Sequence, residues 1–146
     1  MNIRRCLTVV VLSVGLSSSL ASALTVNGSP GGLVARFAAE EQGLEARGEG
    51  VRINGGCASA CTIYLHNPKV CVTPHARFMF HSAFIPVDPE HGDFRRASDD
   101  LEATAYIWSM YPTGVQAFIA ARGGLSATPI FMNYSQALHA GIPACR

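Results

Sequence analysis

Short apolar runs bounded by glycine or proline alternate along this chain with stretches of helical spacing. Leu24 to Asn27 reads as a short strand, broken by Gly28-Ser29-Pro30-Gly31-Gly32. From Leu33 to Ala46, the residues Leu33, Val34, Phe37, Ala38 and Leu44 fall mostly on one face. Arg36, Glu40, Glu41 and Glu45 lie elsewhere, which predicts a helix. Val51 to Asn54 alternates as a strand that Gly55-Gly56 ends, and Cys57 to Leu65 predicts a helix of small residues. Lys69 to Thr73 is a short strand. Arg77 to Phe80 is nearly all apolar, as a central strand would be, with His81 at its carboxyl end. Ile85 to Asp93, with two prolines, a glycine, acids and His91, predicts an exposed loop. Phe94 to Tyr111 then predicts a helix with Leu101, Ala105 and Trp108 on one side. A second helix opens at Pro112 and stops at Gly123-Gly124. A strand near Pro129 to Met132 and a brief helix from Ser135 to His139, capped by Gly141, complete the order. Strands alternating with helices argue for an α/β class with a parallel sheet, and no repeat or linker divides the chain.

The first 23 residues change that picture. Arg4 and Arg5 precede a ten-residue apolar run, Leu7 to Leu16, and Ala21-Ser22-Ala23 supplies a small-x-small cleavage pattern. The run is short for a bilayer span. Residues 1–23 are therefore expected to be a signal peptide, leaving a 24–146 domain exported to the periplasm or secreted, with no membrane contact after signal removal. The net charge is +1, without a basic block, so nucleic acid has no electrostatic footprint here.

Export gives the cysteines a meaning. Beyond Cys6, the domain holds Cys57, Cys61, Cys71 and Cys145, which in an oxidising compartment suggest up to two disulfides with three pairings open. The preferred expectation joins either Cys57 or Cys61 to Cys71, with Cys145 taking the one left over. Zinc held by Cys57, Cys61 and Cys71 with His66 or His75 is a weaker alternative, because a Cys-x3-Cys pair on a helix lacks the usual knuckle turn. Neither a cofactor nor a metal is otherwise called for.

The candidate chemistry lies between Gly55 and Ala83. Ser59 sits where a strand turns into a helix, and His81 follows the central strand, so a hydroxyl and an imidazole base lie in one segment. Each residue has an ordinary explanation too. Ser59 could be a helix N-cap, and His81 a hydrogen-bonded surface histidine. The glycine turn at residues 28–32 leaves backbone N–H groups at a helix start, which suits a developing oxyanion or simply a tight connection.

Four segments in order resemble a known family. Asn27-Gly28-Ser29-Pro30-Gly31-Gly32 is similar to the Ser-Pro-Gly-Gly segment of the Clp protease proteolytic subunit, in the ClpP/crotonase superfamily. Cys57-Ala58-Ser59-Ala60-Cys61 is similar to that family's nucleophile turn, and Pro74 with His81 to its approach to the catalytic histidine. Phe131 to Ile142 resembles its closing segment. The resemblance implies a ClpP/crotonase-like repeated ββα core with a parallel sheet. It also implies a domain truncated at its N-terminus, since few residues precede Gly31. It makes Ser59 the nucleophile and His81 its general base, with the backbone N–H groups of Gly31 and Ala60 as oxyanion hole.

One departure matters. The family places an acid shortly before its closing segment, and Gly124-Leu125-Ser126-Ala127-Thr128-Pro129 holds none. The orienting group is then one of Asp88, Glu90, Asp93, Asp99, Asp100 or Glu102, or weakly Ser126 or Thr128, or the triad is a dyad. Two functional readings follow. One is an exported serine hydrolase, a peptidase acting on a peptide or protein substrate. The other is a catalytically inactive ClpP-like binding or assembly module. The resemblance also allows a homo-oligomer, which nothing in the residues themselves shows.

Overall fold

A computed structural model describes residues 23–146. The signal peptide expected over residues 1–23 thus lies outside the described residues, apart from Ala23, which opens the first strand. In chain order the main sheet receives β1 (Ala23–Ser29), β2 (Gly50–Ala58), β3 (Val70–Val72) and β4 (Arg77–Phe80). A separate pair, β5 (Phe84–Asp88) and β6 (Asp93–Asp99), follows, and β7 (Ile130–Asn133) returns to the sheet. The helices are α1 (Val34–Ala46), α2 (Leu101–Met110), α3 (Thr113–Ala120) and α4 (Tyr134–His139), with a 3₁₀ segment at Ser59–His66. The sheet runs β1-β2-β4-β7 with β3 beside β2. The β1–β2, β2–β3 and β2–β4 pairs are parallel, and β7 closes antiparallel on β4. The expected α/β class is what the chain forms, and its sheet is parallel as expected except at β7.

β2 is the axis. Its first half pairs with β3, Val51 to Ile53 opposite Val70 to Val72. Its second half pairs with β4, Gly56 to Ala58 opposite Arg77 to Met79. Gly55-Gly56 therefore does not end the strand, contrary to expectation. A Cβ on Gly55 would fall 1.8 Å from the Asn27 carbonyl oxygen, where the β1–β2 register shifts. The glycine admits a close backbone crossing inside a strand rather than stopping it.

The 57–65 stretch also differs from expectation. Cys57 and Ala58 complete β2, and only Ser59 to His66 coils, as 3₁₀ rather than α. Six of its residues, Ala60 to Leu65, are buried in succession. These six residues are wrapped by neighbours, and only Ser59 and His66 at the ends of the segment reach solvent. The larger correction falls between residues 85 and 99. The expected loop and the start of the expected helix instead form the antiparallel β5–β6 hairpin, and α2 begins at Leu101. Asp100 caps α2, its carboxylate accepting from the Ala103 N–H at 2.9 Å, so the chain before it is free to extend.

Phe78, Phe80, Ile53, Ile63, Val115 and Ile119 form the centre of the core, each 2% exposed or less. Each such side chain contributes about 1.5–3 kcal/mol by leaving water. Phe37 of α1 packs on Tyr64 with ring centres 5.5 Å apart, and Phe80 meets Tyr111 edge-on at 5.4 Å. α1 also buries Glu41 completely, although its charge suggested an outward position. It lies four residues after Phe37 and three before Leu44, on the face those residues bury.

The four domain cysteines pair as Cys57–Cys61 and Cys71–Cys145. The preferred expectation of a bridge from Cys57 or Cys61 to Cys71 is thus overturned. Cys71 lies on β3, where an isolated bridge between Val72 and Ala144 brings the C-terminal residues alongside it. Cys57 ends up across the Ser59 turn from Cys61, their Cα atoms 5.3 Å apart. The zinc alternative loses its thiolates, all three being in disulfides. Cys71–Cys145 closes a separation of 74 residues, worth about 4 kcal/mol in the loop-closure relation.

Candidate functional site

Parallel pairing sets the site's position. Ala58 of β2 is in register with Met79 of β4. Ser59, one residue past Ala58, and His81, two past Met79, therefore leave the sheet at the carboxyl ends of neighbouring strands. That is where ligand sites gather in open α/β sheets.

Ser59 has φ 55°, alone among the described non-glycine residues in being positive. The left-handed conformation costs an L-residue roughly 1–2 kcal/mol and persists only where the surroundings impose it. Here they do. The Cys57–Cys61 bridge spans the turn. Thr62 donates its hydroxyl to the Ser59 carbonyl at 2.6 Å and shares a second 2.6 Å hydrogen bond with the Tyr111 hydroxyl. Thr62 and Tyr111 are both buried, and burial pushes the Tyr111 phenol well above its ordinary pKa, so it stays protonated. The reading of Ser59 as a helix N-cap fails: the N-cap position is Ala58, and no side chain caps the segment.

The glycine turn after β1 lies directly against Ser59. Gly31 has φ 89°, and a Cβ there would stand 2.6 Å from both the Ala58 carbonyl oxygen and Ser59 Cβ, and 3.1 Å from the Ala60 nitrogen. Only glycine lets the two turns meet. The Ala60 N–H, in the first turn of the 3₁₀ segment, has no carbonyl one turn behind it. The Gly31 N–H makes a long 3.3 Å hydrogen bond to Ser29 Oγ.

His81 is held differently. Its Nδ1 lies 2.7 Å from the carbonyl oxygen of Ser82. Among the described residues no hydrogen bond or ion pair joins it to any of the six candidate acids, and Glu90 makes neither with any side chain. Asp88 pairs with His91, Asp93 with Arg95 and Asp99 with Arg96, while Asp100 caps α2 and Glu102 sits in its first turn. Ser126 approaches, but through its main chain, accepting from the Ser82 N–H at 2.8 Å. Thr128 hydrogen-bonds, among the described residues, with Ser126 alone. Among the described residues, no hydrogen bond joins Ser59 Oγ to His81. Such contacts often tighten only when substrate is bound.

Two groups beside His81 escaped sequence reasoning. Arg96 donates from Nη2 to the Ser82 carbonyl at 3.1 Å and from Nη1 to Ser82 Oγ at 3.2 Å and to Asp99. The Phe84 ring lies 4.8 Å from the Arg96 guanidinium carbon and 6.0 Å from the His81 ring. Reading 94–111 as one helix put Arg96 on the wrong element. The Ile85-Pro86-Val87 run before Gly92 and the Asp100 cap were the available signals for a hairpin.

Clefts lie at two places among the described residues. One of about 230 Å³ runs along β1 from Leu24 to Ser29 and is walled by Arg36, Phe37, Glu40 and Tyr64. The other, about 300 Å³, lies between α3 and α4 and shares no residue with the Ser59–His81 edge.

No family model matches the chain. No curated protein matches it either. A solved structure described as "Crystal structure of an Enzyme" is similar in fold with a TM-score of 0.52 at 10% identity, over 81% of this chain and 73% of that one. At that identity the likeness concerns the fold alone. The two disulfides are compatible with an oxidising compartment. No described helix is long and apolar enough to cross a membrane.

Proposed function

We propose that this chain is an exported serine hydrolase of ClpP/crotonase type, a peptidase of the periplasm or extracellular space acting through Ser59 and His81. The observation that carries the reading is the Ser59 turn. A serine is held at φ 55° at the carboxyl end of a central strand, with the Gly31 backbone pressed against it. Small residues alone do not require that strain, and strained backbone clusters at active sites, which supports a reacting group at Ser59.

The reaction follows from the placement. Ser59 Oγ attacks the substrate carbonyl carbon as its proton passes to His81 Nε2, the nitrogen left free when Nδ1 faces the Ser82 carbonyl. The carbonyl oxygen takes up the negative charge beside the Ala60 N–H and the Gly31 N–H, which exchanges its long bond to Ser29 for the oxyanion. The tetrahedral species collapses, the C–N bond breaks, and His81 returns the proton to the leaving amine. Water then attacks the acyl-serine, giving its proton to His81, and the acid is released as Ser59 regains its hydrogen. No cofactor enters.

A second reading has its own observation. His81 lacks a carboxylate partner and no hydrogen bond links it to Ser59, as a catalytically inactive binding or assembly module would allow. A fluorophosphonate probe separates the two. Labelling of the mature protein that disappears in Ser59→Ala and falls in His81→Ala supports the hydrolase. Labelling of neither protein, or of both wild type and Ser59→Ala, rejects it. Sedimentation of the same samples would show whether a homo-oligomer forms, as the resemblance allows.

A further inference from the structure

We infer that Arg96, neutralised by Asp99, is the positioning residue for His81: it clamps the Ser82 peptide and so fixes the imidazole proton on Nδ1, a task usually left to an acid. The inference deepens the hydrolase reading and rests on its assignment of His81 as base.

The argument begins with what Nδ1 faces. A peptide carbonyl accepts but cannot donate, so the 2.7 Å contact to Ser82 requires the proton on Nδ1 and leaves Nε2 bare. A carbonyl orients an imidazole only as well as it is itself held. Ser82 is 7% exposed and tied on every polar atom. Its N–H donates to the Ser126 carbonyl at 2.8 Å, and its carbonyl and hydroxyl oxygens both accept from Arg96. The next residue is fixed as well: the Ala83 N–H donates to Thr104 Oγ1 at 2.9 Å and its carbonyl accepts from the Asp100 N–H at 3.1 Å.

Arginine suits the task. Its planar fork reaches both oxygens of one serine from two nitrogens, and its face lies on Phe84, which also flanks His81. Lysine offers a point charge without that geometry. Asp99 has a separate use. A bare guanidinium beside His81 would oppose the imidazolium that forms on proton uptake, and the carboxylate removes that opposition.

The test reads the tautomer directly, by ¹⁵N chemical shifts of the His81 ring at a pH where it is neutral, in the full mature chain. Wild type is expected to carry its proton on Nδ1. Arg96→Ala and Arg96→Lys are expected to lose that preference, the ring drifting toward the Nε2–H form that free histidine favours, with the unfolding midpoint held. Fluorophosphonate labelling of Ser59 should fall by roughly a factor of ten or more in both. Nε2–H in wild type, an unchanged tautomer in Arg96→Ala, or full rescue by lysine each overturns the inference. If the Arg96 variants do not fold, Asp99→Asn, which frees the fork from its outer anchor, should lower the Nδ1–H population, and an unaltered ring there overturns the inference. The parent reading fails separately. A wild type that resists the probe while its His81 tautomer still follows Arg96 removes the hydrolase and keeps the clamp. A wild type that labels, with Arg96 variants identical in rate and tautomer, does the reverse.

Discussion

Ser59 and His81 leave the same sheet edge, yet they are secured in opposite ways. The serine lies in a cross-linked, buried turn. A disulfide spans it, a buried threonine–tyrosine pair holds its carbonyl, and a second turn presses on it through Gly31. The histidine is half-buried and depends on one backbone carbonyl, itself fixed by an arginine of the hairpin arm. The difference fits what each group would do in the proposed reaction. A left-handed residue relaxes unless packing over-determines it. An imidazole must turn between acceptor and donor roles, so a single well-held contact suffices.

The contrast breaks most sharply at Gly31. Alanine there would set its methyl 2.6 Å from backbone at a positive φ, so both overpacking and backbone strain oppose it. Gly31→Ala is expected to lose about 4 kcal/mol in urea unfolding and to cut Ser59 labelling roughly a hundredfold. Gly56, whose Cβ would meet nothing within 4 Å, is the control: Gly56→Ala should leave both nearly unchanged. On the other side of the site, His81→Ala should change stability by at most about 0.5 kcal/mol. Equal stability losses for Gly31→Ala and His81→Ala would erase the contrast.

A pH-dependent weakness lies behind the serine half. Glu41 is buried on α1 against Asn67, the residue that follows the 3₁₀ segment, and its Oε1 has no hydrogen-bond partner. Burial pushes its carboxyl up from 4.5 to about 7, against the smaller lowering by Asn67. The unfolded chain ionises near the lower value. Across that window the unfolded state has shed a proton that the folded state keeps. Stability is therefore full below about 4.5, falls as pH rises toward 7, and levels off above it. The drop is roughly 3 kcal/mol at about 1.4 kcal/mol per pH unit. Chemical unfolding on either side of the window checks it, and Glu41→Gln should flatten the slope. An equally steep slope in the glutamine variant would place its cause elsewhere.

The Cys57–Cys61 bridge gives a smaller effect. It closes a separation of only four residues, so its loop term is about 2 kcal/mol, roughly half that of Cys71–Cys145. Cys57→Ser with Cys61→Ser should lower stability by about that amount while costing labelling disproportionately, because the bridge holds the one turn that is strained. A double variant labelled at the wild-type rate would show that Gly31 and Thr62 hold Ser59 unaided.

Much of this arrangement was legible in the residues, and the remainder was hidden for physical reasons. The βα order, the central Arg77–Phe80 strand and the placing of Ser59 and His81 just past the carboxyl ends of neighbouring strands follow from apolar runs and glycine turns. The β5–β6 hairpin was hidden because Phe94 to Ser98 suits a helix locally, and only pairing with Phe84 to Asp88 extends it. Glu41 was misplaced by its charge although its spacing was right. The disulfide pairing depended on the C-terminal residues docking beside β3, which no local pattern encodes. Arg96 could not be assigned to His81 while the element carrying it was misread.

The smallest effect tests the strain itself. Ser59→Ala and Ser59→Gly both remove the proposed nucleophile, so neither should label. They differ in the backbone. Alanine keeps a Cβ at φ 55°, whereas glycine occupies that region freely. Ser59→Gly should therefore be more stable than Ser59→Ala by about 1 kcal/mol, somewhat less than the full left-handed penalty because glycine also gains freedom in the unfolded chain. The comparison holds the lost hydroxyl constant, so the difference measures what the surroundings spend to keep residue 59 in the left-handed conformation. If alanine were the more stable of the two, the turn would not be strained, and the chief support for a nucleophile at Ser59 would go with it.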